Sequence, residues 1–363
     1  MKLKPAIAAL FCLLIVILPS VSLQSATAAT RATIVLVDPP HRDLNGISLD
    51  NTLETSLLPT ERLGELVFSP QAEPRMWFID AALVEDVQAL AVKNLDAQNW
   101  LAELKYISAN DPIFAIPYGH PNISLATELA PSELRYYFDT SKVRLEAALS
   151  RPVKISRSIK WGQSTVKVSA DTIRSYTSNR RALALMSTVV PASELDILRS
   201  KLAFLLATDS TSVRQIFFAR NAYDALASQT HKLRIVSGKY RLTSEKGKLP
   251  LTLVNDFTLP ISVNLQLTPL NSRVHISDIK RLVLDAKSTT QILVPVTVIA
   301  PGTTMVLAQF VNSRNDAVNE TAILTLNTSV ISPTVAWFTT GSAILLFLAA
   351  LTQSVRRVKR SRK

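Results

Sequence analysis

The hydrophobic and polar positions divide the chain into two long regions of different periodicity. In the first, short runs of apolar and β-branched residues alternate with helical patterns; these runs are Thr33–Val37, Met76–Ile79 and Ile113–Ile116. Buried strands that alternate with amphipathic helices form β-α-β units, and these units imply a parallel sheet. We therefore expect an α/β domain over residues 29–230, built as a partial β/α barrel or an open parallel sheet.

The C-terminal part of this first region is predicted to be mainly helical. Apolar side chains recur at helical spacing in three segments, Ser132–Leu149, Ser193–Leu206 and Ser212–Ser228. Few strand candidates remain between them, whereas a complete eight-stranded barrel takes ~250 residues. The pattern thus favours an incomplete barrel or an open sheet.

The second region, residues 231–333, changes to a period of two. Ile261–Thr268 alternates apolar and polar residues without interruption, which is typical of a strand with one buried face. Turn signals such as Pro301-Gly302 separate seven or eight such runs. Short strands over about 100 residues indicate an immunoglobulin-like β-sandwich, here without the cysteine pair of antibody domains.

The C-terminal segment Val335–Val355 contains no charged residue, and the basic tail 356–363 follows it. About 20 apolar residues suffice to cross a bilayer as a helix, and basic clusters stay on the cytoplasmic side. We therefore predict one transmembrane helix over residues 335–355. The predicted protein is a single-pass cell membrane protein, with its N-terminal domain outside and its C-terminus cytoplasmic.

The first 28 residues resemble a signal peptide. Lys2 and Lys4 precede an apolar run, and Ala26-Thr27-Ala28 has the small-x-small pattern of a cleavage site. Cys12 is the one cysteine of the chain and lies within this segment. Cleavage near Ala28 would leave an exported chain whose domains depend on apolar burial without disulfides.

The high net charge of +12 is concentrated at the two ends of the chain. Two of the 40 basic residues lie in the predicted signal peptide and six in the tail, which leaves 32 basic against 28 acidic residues. This nearly balanced surface gives no reason to expect nucleic-acid binding.

Three polar side chains follow the predicted parallel strands and are the candidates for chemistry. Asp38 and Asp80 follow the first two strands, and His120 lies in the turn after the third. Parallel α/β folds place their active sites at this edge, where two carboxylates could hydrolyse a sugar or, with a histidine, hold a metal. The alternative is structural, since aspartate also caps helices and forms turns.

Other catalytic and cofactor motifs are not found in the sequence. The four histidines include no pair at helical metal-ligand spacing, and the chain has no Gly-x-Ser-x-Gly motif. With eight glycines in 363 residues, it also lacks a glycine-rich phosphate loop. We expect no cofactor and no metal.

Four stretches resemble an actinobacterial family of uncharacterised, membrane-anchored envelope proteins, whose genes commonly neighbour the lipid II flippase gene. They are Glu61–Leu63, Trp77–Leu83, Asn99–Leu104 with Ile116–Asn122, and Leu242–Asn255. The resemblance implies a glycosidase- or deacetylase-like α/β domain, an Ig-like domain and one C-terminal membrane helix. Family members are usually longer, with a fuller barrel.

The sequence departs from this family at one turn. Where an acidic Tyr-x-Asp-Pro-Asp type of turn is expected, the chain has Tyr118-Gly119-His120-Pro121-Asn122. We therefore expect a non-catalytic envelope protein that binds a wall polymer or a membrane partner of cell-wall synthesis. The alternatives are a carbohydrate-active enzyme that uses Asp38 and Asp80, and an accessory subunit of a transporter or flippase.

Overall fold

A computed structural model describes residues 31–70, 74–155, 167–329 and 333–360. The predicted signal peptide, with its cleavage site and Cys12, lies outside the described residues. So does the end of the basic tail, residues 361–363.

The first region contains a sheet of parallel strands in the order β1-β2-β3-β4. The strands are β1 (Ala32–Leu36), β2 (Arg75–Ile79), β3 (Ile113–Ala115) and β4 (Lys154–Ile155). Leu36 pairs with Ile79, and Ile79 pairs with Ala115, so the carboxyl ends of the strands are aligned. As the β-α-β pattern predicts, neighbouring strands in the chain are neighbours in the sheet.

Helices connect these strands and complete the domain. They are α1 (Thr52–Ser56), α2 (Arg62–Phe68), α3 (Ala81–Ala91), α4 (Leu95–Ile107), α5 (Ile123–Leu129), α6 (Pro131–Leu149), α7 (Ala170–Met186), α8 (Ala192–Lys201) and α9 (Ser212–His231). Side-chain caps begin several of them: Asn94 accepts from Ala97 N, and Thr211 accepts from Arg214 N. Their apolar faces bury Trp100, Leu104 and Phe218 completely.

The predicted helix Ser193–Leu206 is divided in two. Helix α8 ends at Lys201, and residues Leu202–Leu206 form a 3-10 helix whose side chains are all buried. A 3-10 helix has three residues per turn. In the LAFLL segment, the side chains on all sides of this helix are buried in the core. This segment reaches the carboxyl edge of the parallel sheet.

The second region is a sandwich of two β-sheets. Its strands are β5 (Leu233–Ile235), β6 (Gly238–Leu242), β7 (Lys246–Asn255), β8 (Ile261–Pro269), β9 (Val274–Ile276), β10 (Ile279–Leu284), β11 (Ser288–Val298), β12 (Gly302–Val311) and β13 (Ala322–Thr328). One sheet has the order β10-β8-β12-β13-β6 and the other β5-β7-β11-β9. Ile261, Val263 and Leu265 point inward along β8, which confirms the predicted alternation and the β-sandwich.

Polar contacts join the two regions, and their buried apolar side chains form one continuous cluster. The backbone N–H of Thr258 donates to Glu194 Oε1 at 2.8 Å, and Asn312 Nδ2 donates to Thr188 Oγ1 at 3.2 Å. The change from helices to strands falls between His231 and Leu233.

The last described helix is α10 (Pro333–Arg360). Among the described residues, no helix has the length and apolarity that a membrane crossing requires. The predicted transmembrane helix over Val335–Val355 is therefore wrong, and with it the fold class that included it. Gly341-Ser342 and Thr352-Gln353 flank the apolar run Ala343–Leu351, which covers about 14 Å of the ~30 Å hydrocarbon core.

Candidate functional site

The carboxyl edge of the parallel sheet carries all three candidate residues. Asp38 follows β1, Asp80 follows β2 directly, and His120 follows β3 in the turn that begins at Tyr118. The Asp80 backbone N–H donates to the carbonyl of Leu36 at 3.0 Å, which brings the ends of β1 and β2 together. The sheet register thus places these residues at one edge, as expected.

Asp80 is fully buried, and both of its carboxylate oxygens have partners. Oδ1 accepts from the backbone N–H of Ala82 at 2.9 Å and of Gly119 at 3.0 Å. Oδ2 lies 2.8 Å from Nδ1 of His120. The bond from Ala82 is the N-cap of α3, which confirms the helix-capping interpretation of Asp80.

His120 lies between two aspartates. Its Nδ1 lies 2.8 Å from Asp80 Oδ2, and its Nε2 lies 2.8 Å from Asp209 Oδ1. Burial alone would lower the pKa of His120, but the hydrogen bonds that its ring donates to Asp209 and Asp80 outweigh this effect and raise the pKa to about 10. At neutral pH the ring is therefore an imidazolium, because only that form donates from both nitrogens.

A tight turn and the 3-10 helix hold His120 in this position. Gly119 and His120 both have positive φ, +68° and 35°, the left-handed region that favours glycine. A Cβ on Gly119 would lie 2.6 Å from Phe204 Cδ1. The Tyr118 ring stacks on Phe204 with ring centroids 5.8 Å apart, so the 3-10 helix covers the turn.

Asp38 belongs to a second, separate cluster. Its Oδ2 lies 3.1 Å from His41 Nε2, and its Oδ1 pairs with the guanidinium of Arg62. Within the described part of the chain, no hydrogen bond joins Asp38 to Asp80 or His120. The structure therefore brings Asp80 and His120 together and leaves Asp38 with other partners.

A cleft of about 240 Å³ lies beside this second cluster and is lined by His41, Asp50, Glu54 and Asp86 among others. Burial raises the pKa of Asp86 to about 6, against the hydrogen bond that it accepts from the His41 backbone N–H at 2.9 Å. Burial lowers the pKa of His41, but the hydrogen bond and charge of Asp38 raise it above its usual value.

The sequence interpretation missed Asp209, His41 and Asp86. Asp209 lies 89 residues beyond His120, in a loop between the 3-10 helix and α9, and no local pattern links the two. His41 follows Asp38 by three residues, a spacing that is too common to be read as a site. Asp86 occupies a helical position whose burial depends on the loop before α1.

Metal binding has no support in the described residues. Within them, no group of three His, Cys, Asp or Glu side chains is placed to hold a metal ion. In the Asp80–His120–Asp209 cluster, the two carboxylates face opposite nitrogens of one ring. The side chains therefore pair with each other and do not converge on a common point.

These features define a protein with a parallel α/β region followed by an immunoglobulin-like β-sandwich. Residues 140–363 match a family of unknown function, DUF6049, and the chain belongs to that family. No curated protein matches the chain. The resemblance to envelope proteins encoded beside the lipid II flippase stays a prediction.

Several solved structures are similar to parts of the chain. WR4, a member of the MSP family of C. elegans, is 10% identical, covers 27% of this chain and 97% of its own, and has a TM-score of 0.21. The ASH/PapD-like domain of human CEP192 is 14% identical over 28% of this chain and 85% of its own, with a TM-score of 0.21. The E. coli chaperone DraB is 13% identical over 26% and 53%, with a TM-score of 0.20.

Proposed function

We propose that this protein is a non-catalytic binding protein of the cell envelope, whose ligand is a wall polymer or a partner of cell-wall synthesis. The observation that carries the non-catalytic part of the proposal is the Asp80–His120–Asp209 cluster. A general base needs a free lone pair, and a general acid needs a proton that it can release near neutral pH. An imidazolium between two carboxylates, with its pKa raised to about 10, offers neither.

The predicted pair of catalytic carboxylates is also unsuited to sugar hydrolysis. In glycosidases two carboxyl groups flank the bond that is broken, and both must reach the substrate. Asp80 is 0% exposed and saturated by hydrogen bonds. Asp38 pairs with Arg62 and His41. These contacts support a structural role for both carboxylates.

The envelope part of the proposal comes from the sequence. The predicted signal peptide indicates export, and the chain after residue 28 contains no cysteine. A chain of this kind folds independently of the redox compartment. The four stretches that resemble envelope proteins point the same way.

The test combines wall binding with product release. The purified full chain is incubated with isolated bacterial cell walls, and both co-sedimentation and soluble reducing sugar or acetate are measured. We expect the protein to sediment with the walls without releasing either product. Asp38→Asn should sediment to the same extent as the unaltered protein. Product release that disappears in correctly folded Asp38→Asn would contradict the proposal.

A carbohydrate-active enzyme is the second candidate, and one observation favours it. Asp86 lines the cleft beside His41, and burial raises its pKa to about 6. That value suits a carboxylic acid that donates a proton near neutral pH. In the same assay, this alternative predicts product release by the unaltered chain and its loss in Asp86→Asn.

A further inference from the structure

A second cavity of about 220 Å³ lies between α6, α7 and α8, away from the strand-end residues. Leu183, Leu195 and Leu202 supply apolar surface, and Tyr136, Arg180 and Arg199 supply polar groups. Since a water molecule takes ~30 Å³ in the liquid, the space suits one small organic group of the size of an amino-acid residue.

Most charged groups in the wall of this cavity already have partners. Arg199 donates from Nε and NH2 to the carboxylate of Glu133, both at 2.9 Å. Asp196 accepts from the hydroxyl of Tyr136 and, at 3.0 Å, from Arg144. These pairs leave Arg199, Glu133 and Asp196 without a free charge.

Arg180 is different, because it forms no hydrogen bond or ion pair with any of the described residues. It lines the cavity, and its buried Nε has no hydrogen-bond partner. A buried donor without a partner costs about 1–3 kcal/mol, and more when the group is charged. Arg180 as a whole is half-buried and lines the cavity, so its unpaired guanidinium is suited to pair with an anion that enters the cavity.

The surrounding charges select the kind of anion. Glu133 and Asp196 also line the cavity but are already paired with Arg199 and Arg144, so the charge of Arg180 balances one negative charge and not the two of a phosphate dianion. A carboxylate carries a single charge and matches the planar fork of a guanidinium with two parallel N–H···O bonds. The leucine side chains favour an apolar substituent next to that carboxylate.

We propose that this cavity binds the carboxylate of a small apolar amino-acid derivative or peptide C-terminus, with Arg180 as its ion-pair partner. This rests on the proposed function only in assuming that the protein binds a ligand. The site lies outside both the Asp80–His120–Asp209 cluster and the His41 cleft, so each site can be altered separately.

Isothermal titration calorimetry on the full chain tests the proposal, with N-acetyl-leucine as the probe. N-acetyl-leucine should bind, whereas its uncharged amide and inorganic phosphate should bind at least about tenfold more weakly, as expected for a lost charged hydrogen bond. Acetyl-Gly-Gly-Leu distinguishes the two possible ligands, a peptide C-terminus and a small free amino-acid derivative. Tighter binding than N-acetyl-leucine assigns a peptide C-terminus, and equal binding assigns a small free carboxylate. Phosphate binding without carboxylate binding would overturn the assignment.

Three variants locate the binding in this cavity. Arg180→Gln should weaken N-acetyl-leucine binding about tenfold or more. Arg181→Gln is the matched control, since Arg181 is the next residue of α7, is exposed and does not line the cavity. Its affinity should stay within about twofold of the unaltered chain. Ala184→Trp should abolish binding by filling the cavity without removing a charge.

Two outcomes would overturn the proposal: no binding of N-acetyl-leucine or acetyl-Gly-Gly-Leu to the unaltered chain, or equal binding by folded Arg180→Gln. Neither outcome affects the wall assay, which concerns Asp38 and Asp86. Failure of this site and failure of the proposed function are therefore separate results.

Discussion

At the scale of single residues, His120 is a candidate for catalysis or metal binding in the sequence, whereas in the fold its contacts indicate a structural role. Its ring is 1% exposed and bridges Asp80 with Asp209. A buried imidazolium is costly alone, but two hydrogen-bonded carboxylates offset its lost hydration. The cluster ties the end of β2, the turn after β3 and the loop before α9 to one another.

This cluster predicts a pH dependence of stability. The pKa of His120 is raised from 6.5 in the unfolded chain to about 10 in the folded one. Its contribution is therefore fully present below pH ~6.5 and is lost as the pH rises through about 10. The free energy of unfolding in urea should fall between these values. The decline should be much smaller in His120→Gln, and an equal decline would contradict the assignment.

Asp86 predicts a second pH dependence of stability, in a lower pH range. Burial raises its pKa to about 6, so the folded state holds this proton more tightly than the unfolded state. Ionisation of Asp86 thus costs stability as the pH rises through about 6. Asp86→Asn keeps an oxygen for the His41 N–H and should raise the melting temperature at pH 7.5 but not at pH 3.5. Asp171→Asn, whose side chain is 81% exposed, is the control.

At the scale of elements, the turn after β3 depends on glycine. Gly119→Ala would place a methyl group against Phe204 and would hold alanine at φ +68°. We expect a loss of about 2 kcal/mol or more in the free energy of unfolding. Gly341→Ala is a suitable control, because a Cβ there meets nothing within 4 Å. Equal stability of both variants would show that the 3-10 helix does not press on this turn.

The elements that the sequence predicted well are those with a strong local period. Strand β8 alternates and helix α6 repeats its apolar residues as their burial requires, and Asp80 lies at an N-cap position. The division of Ser193–Leu206 was missed, because LAFLL fits an α-helix as well as a 3-10 helix. Docking over the turn after β3, a tertiary effect, decides between them.

At the scale of the whole molecule, the sandwich should fold by itself. Its strands bury many of their own side chains, with Leu251, Leu265 and Phe310 fully buried. Separation from the α/β region removes the Thr258 and Asn312 hydrogen bonds, at about 1 kcal/mol each, and exposes part of the apolar cluster that the two regions share. Residues 229–333 should give a soluble, β-rich circular dichroism spectrum with or without reductant. A helical or disordered spectrum would contradict this prediction.

The change from helices to strands near residue 231 could be predicted from the change in hydrophobic period, whereas the contacts of the site could not. Asp209 meets His120 only because the 3-10 helix folds over the sheet edge. The pairing of Asp38 with His41 instead of Asp80 depends on the path of the loop after β1. In the C-terminal segment, the absence of charge alone predicted a membrane span, but Gly341-Ser342 and Thr352-Gln353 limit the apolar run to nine residues.

The structural role of the Asp80–His120–Asp209 cluster depends most on the charge of His120, which its ring nitrogens report directly. The full chain, labelled with ¹⁵N-histidine, is titrated from pH 6 to pH 9 by nuclear magnetic resonance. The four histidines can be assigned by substituting each in turn. Because the pKa of His120 is raised to about 10, both of its ring nitrogens should keep imidazolium chemical shifts throughout the titration. A transition to the neutral ring near pH 7 would contradict this role, because His120 would then be a free base at the carboxyl edge of the sheet.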